Sequence, residues 1–202
     1  MIIGITGGSG SGKTTLLKRI AQAGGLILDC DEIYHDLLKT DEALLERIGE
    51  TFPGTVQQGQ LDRKALGSIV FSDPEKLKML NSITHSAVYA AVVKALEGKP
   101  QLAAIDAIGL FEGKLDALCD ITVAVTAPWE DRIARLMKRE GISREYAAKR
   151  LAAQHSDGWF REKCEACLEN NGTLDAFATK CVAFLAELGI IVETPLEEEK
   201  MK

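Results

Sequence analysis

A chain of 202 residues is long enough for one compact domain with one inserted subdomain. Hydrophobic residues make up 46% and charged residues 27%, a balance that excludes a disordered or fibrous protein. A formal net charge of −6 argues against nonspecific nucleic-acid binding, so any anionic ligand must be held by local positive groups. No apolar run reaches the roughly 18 residues of a membrane span. The N-terminus reads as the first strand of the fold and not as a removable signal, so a cytoplasmic protein with no nucleic-acid or membrane partner is expected.

Met1 to Thr6 is an apolar, β-branched run and reads as a buried strand. Gly7 to Thr14 follows, and Leu16, Leu17, Ile20 and Ala21 then recur at helical spacing. Gly25 to Asp29 reads as strand two, ending in Asp29-Cys30-Asp31. Helical patterns run from about Glu32 to Leu38 and from Asp41 to Thr51, and Thr51 to Gln60 reads as a loop. Asp62 caps a helix through Phe71, and Asp73-Pro74 opens a helical region reaching about Glu97. Leu102 to Asp106 is strand three, and Ile121 to Thr126 is strand four. Pro128 opens a helix to about Glu140, Gly141 breaks it, and Ser143 caps another through about His155. An amphipathic helix spans about Leu174 to Leu188, Ile190 to Val192 reads as strand five, and Glu193 to Lys202 is expected to fray.

Strands alternating with helices predict an α/β fold with a parallel sheet and right-handed crossovers. The core is expected over about 1–30, 101–134 and 166–192, with a helical subdomain over about 31–100 and a charged lid over about 135–165.

Gly7-Gly8-Ser9-Gly10-Ser11-Gly12-Lys13-Thr14 fits the phosphate-loop pattern G-x-x-x-x-G-K-[ST] between a strand and a helix. Glycines let successive N–H groups converge on one anion, and the helix N-terminus adds positive potential there. Lys13 can reach the β- and γ-phosphates of a nucleoside triphosphate, and the Thr14 hydroxyl can meet Mg²⁺. Asp31 is the candidate for orienting a hydroxyl, on the expectation that strand two neighbours the loop; the plainer reading is that Asp31 caps the next helix. Asp106 can hold Mg²⁺ through water. Asp106 to Gly109 has the D-x-x-G spacing of GTPase switches, but no N-K-x-D guanine-reading sequence occurs. Arg132, Arg135 and Arg139 lie on one helix face and form either a phosphate clamp or a solvated face paired with Glu130, Asp131 and Glu140. The five cysteines are read as reduced thiols, with Cys164 and Cys167 in a helix, because a zinc site would need two more ligands.

Taken together, these residues resemble the dephospho-CoA kinase family. The resemblance covers Ile3 to about Asp175: the glycine loop, Asp29-Cys30-Asp31-Glu32-Ile33, Leu61-Asp62-Arg63 with Leu66 and Val70-Phe71, Leu80 to His85, Asp106 to Glu112, Arg135 with Arg139 and Gln154, and Glu169 to Gly172. Uridine kinases share much of the glycine loop alone. The resemblance implies a three-layer P-loop kinase fold with a five-stranded parallel sheet, an inserted helical substrate subdomain and a helical lid. It implies that ATP, with Mg²⁺, phosphorylates the ribose 3′-hydroxyl of dephospho-CoA.

It also implies residue roles. Asp31, Lys13, Arg135 and Arg139 would serve catalysis. Gly8, Ser9, Gly10, Ser11, Gly12, Lys13, Thr14, Thr15 and Asn171 would bind ATP, and Thr6, Asp31, Arg63, His85 and Asp106 the acceptor. Thr14 would hold Mg²⁺. Ser86 stands where the family has proline, which would loosen a turn, and Ile108-Gly109 replace Pro-Leu on the floor of the acceptor site. Rival readings are a nucleoside kinase of the uridine type and a nucleotide-dependent switch. A monomer or weak homo-oligomer is expected.

Overall fold

The computed structural model describes residues 1–192, so the expected frayed tail from Glu193 lies outside the described residues. The chain divides into two compact units: residues 1–27, 100–108 and 119 onward form one, and residues 28–99 and 109–118 the other.

Five strands form one parallel sheet: β1 (Ile2–Thr6), β2 (Leu26–Asp29), β5 (Ala103–Asp106), β6 (Ile121–Thr126) and β7 (Ala166–Glu169). Their spatial order is β2-β5-β1-β6-β7. The central strand β1 is apolar along its length because both its faces are covered, as parallel strands require. Ile5 stands opposite Asp106 of β5 on one side and Val123 of β6 on the other. Ile3, Ile5, Val123 and Val125 pack with Leu16 and Ile20 of helix α1 (Lys13–Gln22) and with Phe177, Cys181 and Leu185 of helix α9 (Leu174–Glu187). Beyond β6, helix α6 (Trp129–Glu140) packs on α7 (Arg144–Ala152) through Ile133, Leu136, Ala147 and Leu151, and α8 (Asp157–Lys163) follows.

The second unit has its own core, with Leu44, Leu45, Ile48, Phe52, Leu66, Val70, Leu80 and Ile83 buried together. They come from α3 (Glu42–Thr51), α4 (Arg63–Val70), α5 (Pro74–Leu96) and the residue after α3. With α2 (Cys30–Thr40), all four helices start at an aspartate whose carboxylate accepts first-turn N–H groups: Asp29, Asp41, Asp62 and Asp73. Each such cap contributes roughly 1 kcal/mol, and Pro74 at the start of α5 adds a preset φ.

Several expectations are corrected. The fifth strand is Ala166–Glu169, not Ile190–Val192. Ile190 and Val192 pack against the core without pairing, while Ile191 is 83% exposed. The loop after α3 contains a small antiparallel hairpin, β3 (Val56–Gln57) with β4 (Gln60–Leu61). Strand β2 does not neighbour β1, because β5 lies between them. Ser86 opens no turn: it sits inside the unbroken helix α5, where its hydroxyl donates to the Ser82 carbonyl at 2.8 Å. A side chain on Gly109 would meet only Glu112 at 3.6 Å, so packing does not demand glycine there.

Cys164 and Cys167 do not share a helix either. Cys164 ends α8, and Cys167 lies in β7. Burial pushes the Cys164 and Cys181 thiols up to about 11, so both remain protonated at pH 8. Iodoacetamide at pH 8 is therefore expected to leave Cys164 and Cys181 unmodified in the native protein and to modify both in urea, read by mass spectrometry. Rapid native alkylation of Cys164 would contradict its placement.

Candidate phosphate site around the glycine loop

The loop between β1 and α1 is shaped by three glycines with positive φ: Gly7 at 130°, Gly10 at 77° and Gly12 at 106°. Two of them are also fixed by crowding. A Cβ on Gly7 would stand 2.1 Å from the Val125 carbonyl oxygen, and one on Gly12 would stand 2.3 Å from Asn170 Nδ2.

Helix α1 begins unlike the helices capped by aspartate, serine or threonine. Its N-cap is Gly12, no side chain caps it, and its first turn carries no acidic residue. Its first N–H groups are thus left to an anion, in the part of the helix where the dipole is positive.

The loop's carbonyls are held by side chains. Lys13 Nζ donates to Gly7 O at 3.0 Å and lies 3.9 Å from Asp106 Oδ1. Arg132 Nε donates to Ser9 O at 3.0 Å, Arg135 Nη1 to Gly10 O at 3.0 Å and Ser11 O at 3.3 Å, and Asn170 Nδ2 to Ser11 O at 2.8 Å. Gln154 accepts the Ser9 N–H at 2.9 Å and donates to Ser9 Oγ at 2.8 Å. The loop backbone is therefore a preformed anion cradle with its oxygens engaged elsewhere. Burial lowers the Arg132 guanidinium pKa, and the carboxylate of Asp157, 3.0 Å away, opposes that shift.

The expected site residues divide as follows. Gly8, Ser9, Gly10, Ser11, Gly12 and Lys13 form the loop and its cradle. Thr14 is exposed in the first turn of α1, and the Thr15 N–H bonds Gly12 O at 2.9 Å. Asp106 joins them through Lys13, and Arg135 through its carbonyl bonds. Thr6 donates its hydroxyl to Ile108 O at 3.1 Å. Arg139 points away: it pairs with Glu140, which also takes Arg150. Asn171 is exposed and bonds Lys180 and Glu169, while its neighbour Asn170 reaches the loop.

In the other unit, Asp31 lies in the first turn of α2. It does not cap that helix, because Asp29 Oδ1 accepts the N–H groups of Asp31 and Glu32 at 2.9 and 3.1 Å. The Asp31 carboxylate is exposed and has no partner among the described residues. His85 lines a cavity of about 760 Å³ with Asn81, Ser82, Tyr89, Glu112 and Lys114, whereas Arg63 and Asp31 are not among its walls.

Arg132, Gln154 and Asn170 as holders of the loop were not visible in the motif. The available signal was local: Arg132 shares a face with Arg135, and two asparagines were equally placed at 170 and 171. Asn170→Ala is expected to cost about 1 kcal/mol of stability by removing the shorter of the two hydrogen bonds to the Ser11 carbonyl, the other coming from Arg135. Asn171→Ala is expected to change it by less than about 0.5 kcal/mol. Denaturant melts of the two variants check this, and equal effects would contradict it.

The sequence profile of dephospho-CoA kinases matches residues 1–176. The dephospho-CoA kinase of Latilactobacillus sakei is 36% identical over 178 residues, covering 86% of this chain and 88% of its own length. That of Thermus thermophilus is 37% identical over 189 residues, covering 93% and 92%. A solved Thermus thermophilus structure, TT1252, matches with a TM-score of 0.78 at 36% identity, over 93% of this chain and 97% of its own. A shikimate kinase from Acinetobacter baumannii, 18% identical with a TM-score of 0.51 over 93% of both chains, shares the fold alone. With a family profile that runs from the glycine loop through Asn170 and into α9, and relatives more than a third identical across nearly the whole length, the chain belongs to the dephospho-CoA kinase family.

Proposed function

We propose that the protein transfers the γ-phosphoryl group of ATP to the ribose 3′-hydroxyl of dephospho-CoA, giving CoA and ADP. The observation that carries this reading is the uncapped, glycine-led start of α1, with Lys13 and Asp106 beside it, in a chain of this family. Phosphoryl transfer needs positioning and charge neutralisation more than covalent chemistry, and the site is rich in both.

The amides of Gly10, Gly12, Lys13 and Thr14, with the Lys13 ammonium, hold the triphosphate, while Gly8, Ser9, Ser11 and Thr15 shape the cradle around it. Arg135, already against the loop, neutralises charge on it, and Arg139 joins by leaving Glu140. Asn171 sits beside the nucleotide on the strength of the family resemblance alone. The Thr14 hydroxyl and the Asp106 carboxylate are hard oxygen donors of the kind Mg²⁺ takes, so these residues fit that ion. When bound, Mg²⁺ supplies positive charge to the phosphates.

Asp31 accepts the proton of the 3′-hydroxyl as that oxygen forms its bond to the γ-phosphorus and the bond to the β,γ-bridging oxygen breaks. Its exposed carboxylate, unused in capping, supports this role. The helical unit binds the acceptor, with His85 at its cavity and Arg63 at the start of α4, while Thr6 and Asp106 meet the reacting ribose. Residues 135–165 act as the lid. The protein works in the cytoplasm as a monomer or weak homo-oligomer.

An acceptor screen with ATP and Mg²⁺ is expected to give 3′-phosphorylation of dephospho-CoA and none of uridine; phosphorylation of uridine but not dephospho-CoA would overturn the reading. Asp31→Asn is expected to lower kcat roughly 10²–10⁴-fold while the Kd for ATP stays within about threefold. Near-normal turnover would remove Asp31 from the chemistry.

A further inference from the structure

Arg132 is a buried cation for which neither the phosphate loop nor the proposed chemistry accounts. Its side chain is 3% exposed. Burying a guanidinium is costly unless it is paired and hydrogen-bonded, and here each of its three nitrogens has an acceptor. Nε donates to Ser9 O at 3.0 Å, Nη1 to Asp157 Oδ1 at 3.0 Å and Nη2 to Gln154 Oε1 at 3.2 Å. Gln154 then closes the circuit on the N–H and hydroxyl of the same Ser9. One residue of the loop is thus gripped at its carbonyl, its amide and its side chain.

The consequence follows from peptide geometry. No peptide bond among the described residues is cis. In a trans peptide the C=O and the following N–H point in opposite directions. Turning Ser9 O toward Arg132 turns the Gly10 N–H away from it. A reversed peptide would instead leave the Ser9 carbonyl facing an incoming polyanion. Gly8 takes part through its lack of a side chain: a Cβ there would stand 1.9 Å from Arg132 Nη2 and 2.7 Å from its Cζ. Gly8 is therefore also the space the guanidinium occupies.

We propose that Arg132 is a positioning residue of the triphosphate site, which holds the Ser9–Gly10 peptide in the orientation that presents the Gly10 N–H to ATP. Gln154 and Asp157 hold Arg132 in turn, so that the turn after α7 and the start of α8 set the shape of the loop. The inference rests on the reading that this loop binds ATP phosphates, and it is independent of which acceptor is used.

The test measures the Kd for ATP by calorimetry with no acceptor present, alongside melting temperature, for four proteins. Arg132→Met removes the grip. Arg132→Lys keeps a charge but not the three-way fork. Gly8→Ala evicts the guanidinium without altering it. The fourth is the Gly8→Ala, Arg132→Met double variant. Each single variant is expected to weaken ATP binding at least tenfold, with the Kd for dephospho-CoA within twofold. The double variant is expected to be little worse than either single one, because both break the same contact. A lowered melting temperature with ATP affinity within twofold in the folded single variants would make Arg132 structural only and overturn the proposal. If Arg132→Met fails to fold, Arg132→Lys and Gly8→Ala decide alone by the same two measurements. Wild-type protein that fails to bind ATP at all would overturn the reading of the loop itself, a result separate from any effect of Arg132.

Discussion

A glycine loop that is to hold a polyanion must turn its backbone oxygens outward, and it has few side chains of its own with which to do so. The rest of the core answers that constraint. The carbonyls of Gly7, Ser9, Gly10 and Ser11 are taken by Lys13, Arg132, Arg135 and Asn170, drawn from α1, α6 and the end of β7. Each bond fixes the direction in which its carbonyl points. The uncapped start of α1 then supplies further donors in the same place.

This arrangement also reconciles the protein's charge with its ligand. The formal net charge of −6 would repel a triphosphate at long range. Local cations reverse the sign where it matters. Lys13 and Asp106 are nearly buried, with side chains 13% and 14% exposed, so their interaction is less screened than a surface pair. By contrast, the exposed Arg144–Glu130 pair contributes little to stability or to the site. The arginine row of α6 thus splits by depth: Arg132 serves the loop from inside, Arg135 from its edge, and Arg139 faces out.

The parts of the fold legible in the sequence were those fixed over a few residues. The caps at Asp62, Asp73 and Ser143, the strand at Ile121–Thr126 and the glycine loop are local signals and stand where they were expected. What escaped depends on partners far along the chain. Ile190–Val192 has strong β propensity but pairs with no strand, and Ile190 and Val192 pack on the core instead. Ala166–Glu169 has weak propensity yet pairs with β6. The turn into it is fixed by Glu165, whose carboxylate accepts the N–H and hydroxyl of Thr122. The position of β2, with β5 between it and β1, depends on long-range pairing in the same way, since strand order is set by crossovers and not by sequence order. At the site, the motif named the loop but not its holders, because Arg132, Gln154 and Asn170 lie more than a hundred residues from it. Asp31 was legible as a candidate, and the capping role that competed for it belongs to Asp29.

The central claim is that the loop presents chosen amides to a phosphate while the carbonyls between them are held away. Amide proton shifts in ¹H–¹⁵N spectra, followed as ATP is titrated without acceptor, test it most directly. The account predicts downfield movement of the Gly10, Gly12, Lys13 and Thr14 amides, with the Ser9 amide, held by Gln154, moving least. Binding of ATP that leaves the Gly10 and Gly12 amides unmoved would contradict it.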